Sequence, residues 1–370
     1  MLNKNTNIII SGGGTGGHLF PALAIAQALK TAEPEINILF VGAKGKIEEE
    51  KVPAAGYKIE LLNITGFQRK FTFQNFLFFF RLIGSLIKSR RIIKKFKPDV
   101  VVGVGGYASG PLLRAAVAQK IPTLIQEQNS FPGITNRLLA NKVDKICVAY
   151  DDLERFFPAE RIIKTGNPVR ENIVNNEITQ EEAAKFFGLN PEKKIILSLG
   201  GSGGARTINE SIIRNLKLIA DSDVQMIWQT GKVYFEKSKS EADKILCERI
   251  RVFDFVSQMD YAFKAADIVI SRAGAATISE LCLVGKPAIL VPSPNVAEDH
   301  QTKNADALVR NTAAIAVKDI EAVEKLIPTV LELISNSEHC KTLSENIKKM
   351  MLINSSKIIA SEILKLKKVN

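Results

Sequence analysis

The chain of 370 residues is poor in the groups that hold metals and crosslinks. Its four cysteines, Cys147, Cys247, Cys282 and Cys340, stand far apart and make no C-x-x-C pair. That excludes a zinc ribbon and a disulfide framework, and it fits packed thiols in a reducing compartment. There are only three histidines. No apolar run approaches the ~20 residues that a bilayer-crossing helix needs, and Ile8–Ile10 near the N-terminus is too short for a signal-peptide core. The expectation is a cytosolic protein that touches a membrane, if at all, from the side.

Acidic residues are missing from one long stretch, with none between Glu60 and Asp99. Residues 1–170 hold 24 Lys and Arg against 13 Asp and Glu, whereas residues 171–370 hold 26 of each, so the net charge of +11 belongs to the first half. A one-sided excess points to an anionic surface. No nucleic-acid recognition motif accompanies it, so no nucleic-acid partner is expected. Within the acid-free stretch Phe76, Phe79, Phe80, Ile83 and Ile87 recur at helical spacing, with Lys88 and Arg91 among the neighbouring cations. This is the pattern of a helix resting in the headgroup region of anionic lipid. A buried helix with a solvated basic edge is the alternative.

What the chain has in abundance is alternation. Short β-rich runs at Asn7–Ser11, Ile36–Val41, Val100–Val104 and Thr123–Gln126 each lead into a longer helical pattern. The second half repeats this from Ile195–Leu199, Gln225–Gln229, Ile268–Ser271 and Ala288–Val291. Such alternation predicts βαβ units on parallel sheets, and the length predicts two domains. The expected layout is a first domain at 1–165, a linker at 166–193 marked by Gly166-Asn-Pro168 and Leu189-Asn-Pro191, a second domain at 194–350, and a closing helix at 351–370. The fold class is α/β, two doubly wound Rossmann-like domains facing across a cleft, with ligands at the carboxyl ends of the strands.

Three glycine-rich turns fall at those ends: Ser11-Gly-Gly-Gly-Thr-Gly-Gly-His18, Gly200-Gly-Ser-Gly-Gly-Ala-Arg206 and Ser271-Arg-Ala-Gly-Ala-Ala-Thr-Ile-Ser-Glu280. A strand that turns on glycine into a helix leaves unpaired N–H groups at the positive end of the helix dipole, which suits a diphosphate. The first turn matches the dinucleotide fingerprint, but Phe40-Val-Gly-Ala-Lys44 offers no acid for a ribose, which argues against NAD. His18, in the first turn of its helix, reads either as a general base or as a histidine bonded to a neighbouring loop. Glu280 reads either as a ribose ligand or as a solvated helix residue. Gly103–Pro111, Glu127-Gln-Asn129 and Glu298–Asn304 add hydroxyl-matching side chains at strand ends. Asp221-Ser-Asp223 precedes its strand and reads as a turn, so no metal is expected.

Taken in order, the three glycine turns together with Gly105-Gly-Tyr-Ala-Ser-Gly-Pro111, Glu127-Gln-Asn129, Thr165-Gly-Asn-Pro-Val-Arg170 and Asp299-His-Gln-Thr-Lys-Asn-Ala305 resemble the MurG family of bacterial peptidoglycan N-acetylglucosaminyltransferases along almost the whole chain. The resemblance implies a GT-B fold, no cofactor, and inverting transfer of N-acetylglucosamine from UDP-GlcNAc to the C4 hydroxyl of the muramoyl sugar of lipid I, giving lipid II. It implies a first domain that takes the lipid-linked acceptor, a second that takes the nucleotide sugar, a final helix that returns to the first, and peripheral residence on the cytoplasmic face of the plasma membrane. Carried over position by position, it implies donor contacts at Arg170, Ser202, Val256 (through its backbone), Ala275, Ala276, Thr277, Ile278, Ser279, Glu280 and Gln301. Thr15, Gly16, Gly17 and Asn129 would complete that site. The chain has His300 where some relatives have glutamine. His18 is the expected base and Glu127 its competitor. The rivals are another GT-B enzyme, either a glycolipid glucosyltransferase or a UDP-GlcNAc epimerase that needs no acceptor, and a non-catalytic nucleotide-sugar-binding partner that recruits another enzyme to the membrane.

Overall fold

The computed structural model describes residues 6–66, 73–169, 173, 177–201, 203–296 and 299–367, with the backbone alone at 73–77. The chain forms two compact units, Met1–Val169 with Leu352–Asn370, and Arg170–Met351.

In the first unit, β1 (Asn7–Ser11), β2 (Asn37–Ala43), β3 (Lys58–Leu62), β4 (Val100–Gly103), β5 (Thr123–Glu127), β6 (Lys145–Val148) and β7 (Ile162–Lys164) lie in the order β3-β2-β1-β4-β5-β6-β7. Every pairing is parallel. The helices of this unit are α1 (Gly16–Ala32), α2 (Glu48–Ala54), α3 (Phe73–Phe96), α4 (Ser109–Ala118) and α5 (Ile134–Leu139). Successive side chains of a strand point to opposite faces, so the β-branched runs Ile8–Ile10 and Val100–Val102 feed two cores at once. Ile8, Ile10, Val100 and Val102 pack with Leu19, Ile25 and Leu29 of α1. Ile9 and Val101 pack with Leu112 and Leu113 of α4 and Ile92 and Ile93 of α3.

In the second unit, β8 (Lys194–Leu199), β9 (Val224–Gln229), β10 (Ile250–Phe253), β11 (Ile268–Ser271), β12 (Ala288–Leu290) and β13 (Ile315–Ala316) run β10-β9-β8-β11-β12-β13, again all parallel. Its helices are α6 (Gln180–Phe186), α7 (Arg206–Arg214), α8 (Leu216–Asp221), α9 (Phe235–Asp243), α10 (Met259–Ala265), α11 (Ala275–Val284), α12 (His300–Arg310), α13 (Asp319–Ser335) and α14 (Ser337–Lys349). One layer is built on Ala183, Phe263, Ile278, Leu281 and Leu308. The other is built on Ile208, Ile212, Ile219 and Val330. The stretch read as a linker holds α6, started by a reciprocal capping box between Thr179 and Glu182.

After α14 the chain forms α15 (Ser355–Lys365), whose Ile359, Ala360 and Ile363 join the core beneath α1 in the first unit. In each sheet the strand order reverses at one place, between β1 and β4 and between β8 and β11. These switch points open a crevice at the carboxyl ends of the strands. The first glycine turn follows β1, and the second and third follow β8 and β11.

Candidate active site

In the first unit, α1 opens on the glycine turn without a side-chain cap and without an acid in its first turn. Thr15 and Gly17 are exposed and Gly16 is half-buried, so this rim of the turn faces solvent. The inner rim is already taken. Glu48, at the start of α2, is 1% exposed, and its carboxylate accepts the N–H of Gly14 at 2.7 Å and of Ala43 at 2.9 Å. A Cβ on Gly13 would lie 2.2 Å from the Glu48 carboxyl carbon, which is why that position takes no side chain. The expectation that this turn cradles a phosphate is therefore narrowed to its outer N–H groups, because an internal carboxylate fills the inner half.

His18 lies against the loop after β4, where a Cβ on Gly105 would come within 2.6 Å of the imidazole. Its Nδ1 is 2.9 Å from Oε1 of Gln128. Gln128 is 2% exposed, and its Nε2 donates to the carbonyl of Val104 at 2.8 Å and to Oε1 of Gln126. Gln126 donates to Oδ1 of Asn167, and Asn167 donates back to the carbonyl of Gln128, each at 2.9 Å. Both expected readings of His18 thus hold part of the geometry: one ring nitrogen bonds a loop, while no described atom bonds the other.

Glu127 is 2% exposed and holds the following loop together. One oxygen accepts from Asn129 N at 3.0 Å and Asn129 Nδ2 at 3.1 Å, and the other from Gly133 N at 3.1 Å and Asn136 Nδ2 at 2.8 Å. Four N–H donors occupy the lone pairs that a base would use.

The second unit places α11 at its switch point. Gly274 leads in with extended backbone, no side chain caps the helix, and no acid lies in its first turn. The N–H of Ile278 bonds Gly274 O at 2.9 Å, which leaves those of Ala275, Ala276 and Thr277 with no acceptor inside the helix. The turn is braced from behind by buried Asn304 of α12, which donates to Ala273 O. Arg272 donates to Val291 O and pairs with Asp319. Ile278 is buried in the core, and Ser279 donates to Ala275 O at 2.9 Å. Glu280 is half-buried in the second turn. Gln301, in the first turn of α12, accepts from Ser293 N at 2.9 Å.

Val256, expected to act through its backbone, donates its N–H to Oε1 of Gln229 at 2.9 Å, which leaves its carbonyl as the backbone group for a ligand. Arg170, Ser202 and Glu298 lie outside the described residues, as does the side chain of Phe76. Sequence reasoning quoted Gln128, Asn167 and Asn304 only within longer motifs and gave no individual role to them or to Glu48 and Gln229, all buried polar residues. The signal for Gln128 was its place in Gln126-Glu-Gln-Asn129, a polar run that begins inside an apolar strand.

Between Phe79 and Ile87 the basic aromatic helix turns apolar residues outward, while Ile92 and Ile93 nearer its end are in the core. Phe79, Phe80, Ile83 and Ile87 are 57%, 61%, 56% and 46% exposed, whereas Ser85 and Ser89 face the core at 3% and 0%. Lys88 and Arg91 are exposed on the same helix. This ordering contradicts the buried-helix alternative over those turns. Among the described residues no helix is long and apolar enough to cross a membrane.

The family models agree with this architecture. The glycosyltransferase family 28 N-terminal domain matches residues 8–148, and the family 28 C-terminal domain matches residues 195–360. The UDP-N-acetylglucosamine–N-acetylmuramyl-(pentapeptide) pyrophosphoryl-undecaprenol N-acetylglucosamine transferase of Bacteroides fragilis is 57% identical over 97% of this chain and 95% of its own. The enzyme of the same name from Phocaeicola vulgatus is 54% identical over 99% of this chain and 97% of its own. The crystal structure of MurG from Acinetobacter baumannii superposes with a TM-score of 0.80 at 26% identity, covering 97% of this chain and 99% of that one. With two glycosyltransferase modules on two parallel sheets and near-full-length kinship of this order, the chain belongs to glycosyltransferase family 28 and, within it, to the MurG family.

Proposed function

We propose that this protein transfers N-acetylglucosamine from UDP-GlcNAc to the C4 hydroxyl of the muramoyl sugar of lipid I, with inversion, and so makes lipid II. The observation that carries the reading is the match over 97% of the chain to a relative named for that transfer. The geometry supplies parts that such a reaction needs.

The donor belongs to the second unit. The open N-terminus of α11 offers the N–H groups of Ala275, Ala276 and Thr277 to the diphosphate, where they stabilise the charge that grows on departing UDP. Glu280 takes the ribose hydroxyls, the Val256 carbonyl takes an N–H of the uracil ring, and Gln301 lies beside the sugar. In the first unit, the free Nε2 of His18 takes the proton of the attacking hydroxyl as its oxygen bonds to C1 and the bond from C1 to UDP breaks. Glu127, with all its lone pairs engaged, shapes the loop that carries Asn129 rather than moving the proton.

The outward aromatic face of α3 suits a lipid-linked acceptor and supports a peripheral association with anionic membrane. Because β3 and β4 are parallel, the N-terminal half of α3 lies at the carboxyl edge of the sheet, the edge that also carries the first glycine turn. A polyprenyl chain in the membrane and a muramoyl sugar at His18 are then served by the same edge of one unit.

Purified protein incubated with UDP-GlcNAc and a short-chain lipid I is expected to release UDP and yield the disaccharide lipid, and to leave UDP-GlcNAc unchanged when the acceptor is withheld. Epimerisation without acceptor, or UDP binding with no turnover on lipid I, overturns the reading.

A further inference from the structure

We propose that Gln128 is a positioning residue that locks His18 as the tautomer protonated on Nδ1, so that Nε2 is held as the unprotonated nitrogen. The inference rests on the base assignment given to His18 above.

An amide has one donating and one accepting end, and only its surroundings decide which way it points. The Gln128 nitrogen faces the carbonyl oxygens of Val104 at 2.8 Å and Gln126 at 3.2 Å, and it also meets Oε1 of Gln126. All three are acceptors. Turning the amide over would set its oxygen against them inside a core position that is 2% exposed, leaving buried acceptors unpaired. The oxygen must therefore be the end that meets the imidazole at 2.9 Å. An oxygen there only accepts, so the proton on a neutral ring sits on Nδ1.

The orientation is fixed further back as well. Asn167 donates to the carbonyl of Gln128 and so turns its own oxygen toward Gln126, whose Nε2 donates to it. That in turn presents Oε1 of Gln126 to the Gln128 nitrogen. Three amides point in one direction, anchored on backbone carbonyls at Val104 and Gln128, and they end on the imidazole. The arrangement gives a neutral partner to Nδ1–H, which sets the tautomer without placing a second charge beside the ring.

The test is the nitrogen spectrum of the three histidines in uniformly labelled protein at a pH where the rings are neutral, with His18 assigned by its loss in His18→Asn. In the wild type, Nδ1 of His18 is expected at the position of a protonated ring nitrogen and Nε2 at that of a bare one. In Gln128→Met, which keeps the volume and removes the oxygen, the tautomer is expected to shift toward protonated Nε2. The same change is expected to lower kcat by roughly tenfold or more with the UDP-GlcNAc KM little altered. A protonated Nε2 in the wild type, which needs no variant to fold, overturns the proposal. So does an unchanged tautomer in a folded Gln128→Met protein. Retained turnover in His18→Asn overturns the base assignment instead, and leaves the tautomer result standing.

Discussion

The carboxylate of Glu48 takes the N–H of Gly14 at 2.7 Å across a separation of 34 residues, so an acid from α2 is built into the first glycine turn. It also closes the end of β2 through Ala43. Glu48→Ala would strand two backbone donors at a buried position, a loss of about 3 kcal/mol. A urea midpoint for that variant equal to the wild type would show that the contact does not hold the turn. Glu48→Gln is expected to fall between, because an amide offers one oxygen to two N–H groups.

At the third turn, Ala275→Pro removes one N–H from the proposed diphosphate cradle without breaking α11. Proline is tolerated at the first position of a helix, and the extended backbone of Gly274 suits the residue before it. UDP affinity by calorimetry is expected to fall roughly tenfold, the worth of one charge-assisted hydrogen bond, while the circular dichroism spectrum stays unchanged. Undiminished UDP binding would move the diphosphate elsewhere. Glu280→Ala should weaken UDP similarly and leave deoxyuridine-type ligands less affected.

His18→Ala is expected to lower kcat much more than it changes UDP affinity. Equal turnover by purified wild type and variant would remove His18 from the proton transfer.

Paired Phe79→Ser and Phe80→Ser changes leave the core of the first unit untouched, because both rings point outward. Sedimentation with anionic vesicles should drop while UDP binding persists. Vesicle binding at the wild-type level would sink the lipid-facing assignment of α3.

Burial pushes the thiols of Cys147 and Cys282 up to about 12, so neither is a thiolate near neutral pH. A maleimide probe at pH 8 is expected to miss both in the native protein and to reach them after unfolding. The raised values also carry a sign for stability: each thiol is neutral in both states below its unfolded value, and above it the unfolded chain alone loses the proton. Stability should therefore decline as pH rises through the range between the unfolded value near 9 and the folded one near 12. Rapid native labelling of Cys147 or Cys282 would contradict the packing of β6 and α11.

The features written locally in the chain were legible without a structure. A run such as Ile8–Ile10 entering Gly12–Gly14 announces a strand, a tight turn and a helix start, because each depends on residues only a few positions apart. Repeated twice more, that signal was enough for two parallel sheets and for the positions of their switch-point turns. The spacing of Phe79, Phe80, Ile83 and Ile87 told that α3 has an apolar side. It did not tell which way that side faces, since Ser85 and Ser89 were given no reason to be buried until β3 and α4 packed against them.

Tertiary structure alone decided what meets at a distance. Val256 lost its N–H to Gln229, His18 gained Gln128, and Glu48 reached Gly14 through contacts that span 27, 110 and 34 residues. A polar side chain carries no local mark of its partner. Its partner is selected when the sheet brings two strand ends together and excludes the water that either group would otherwise keep.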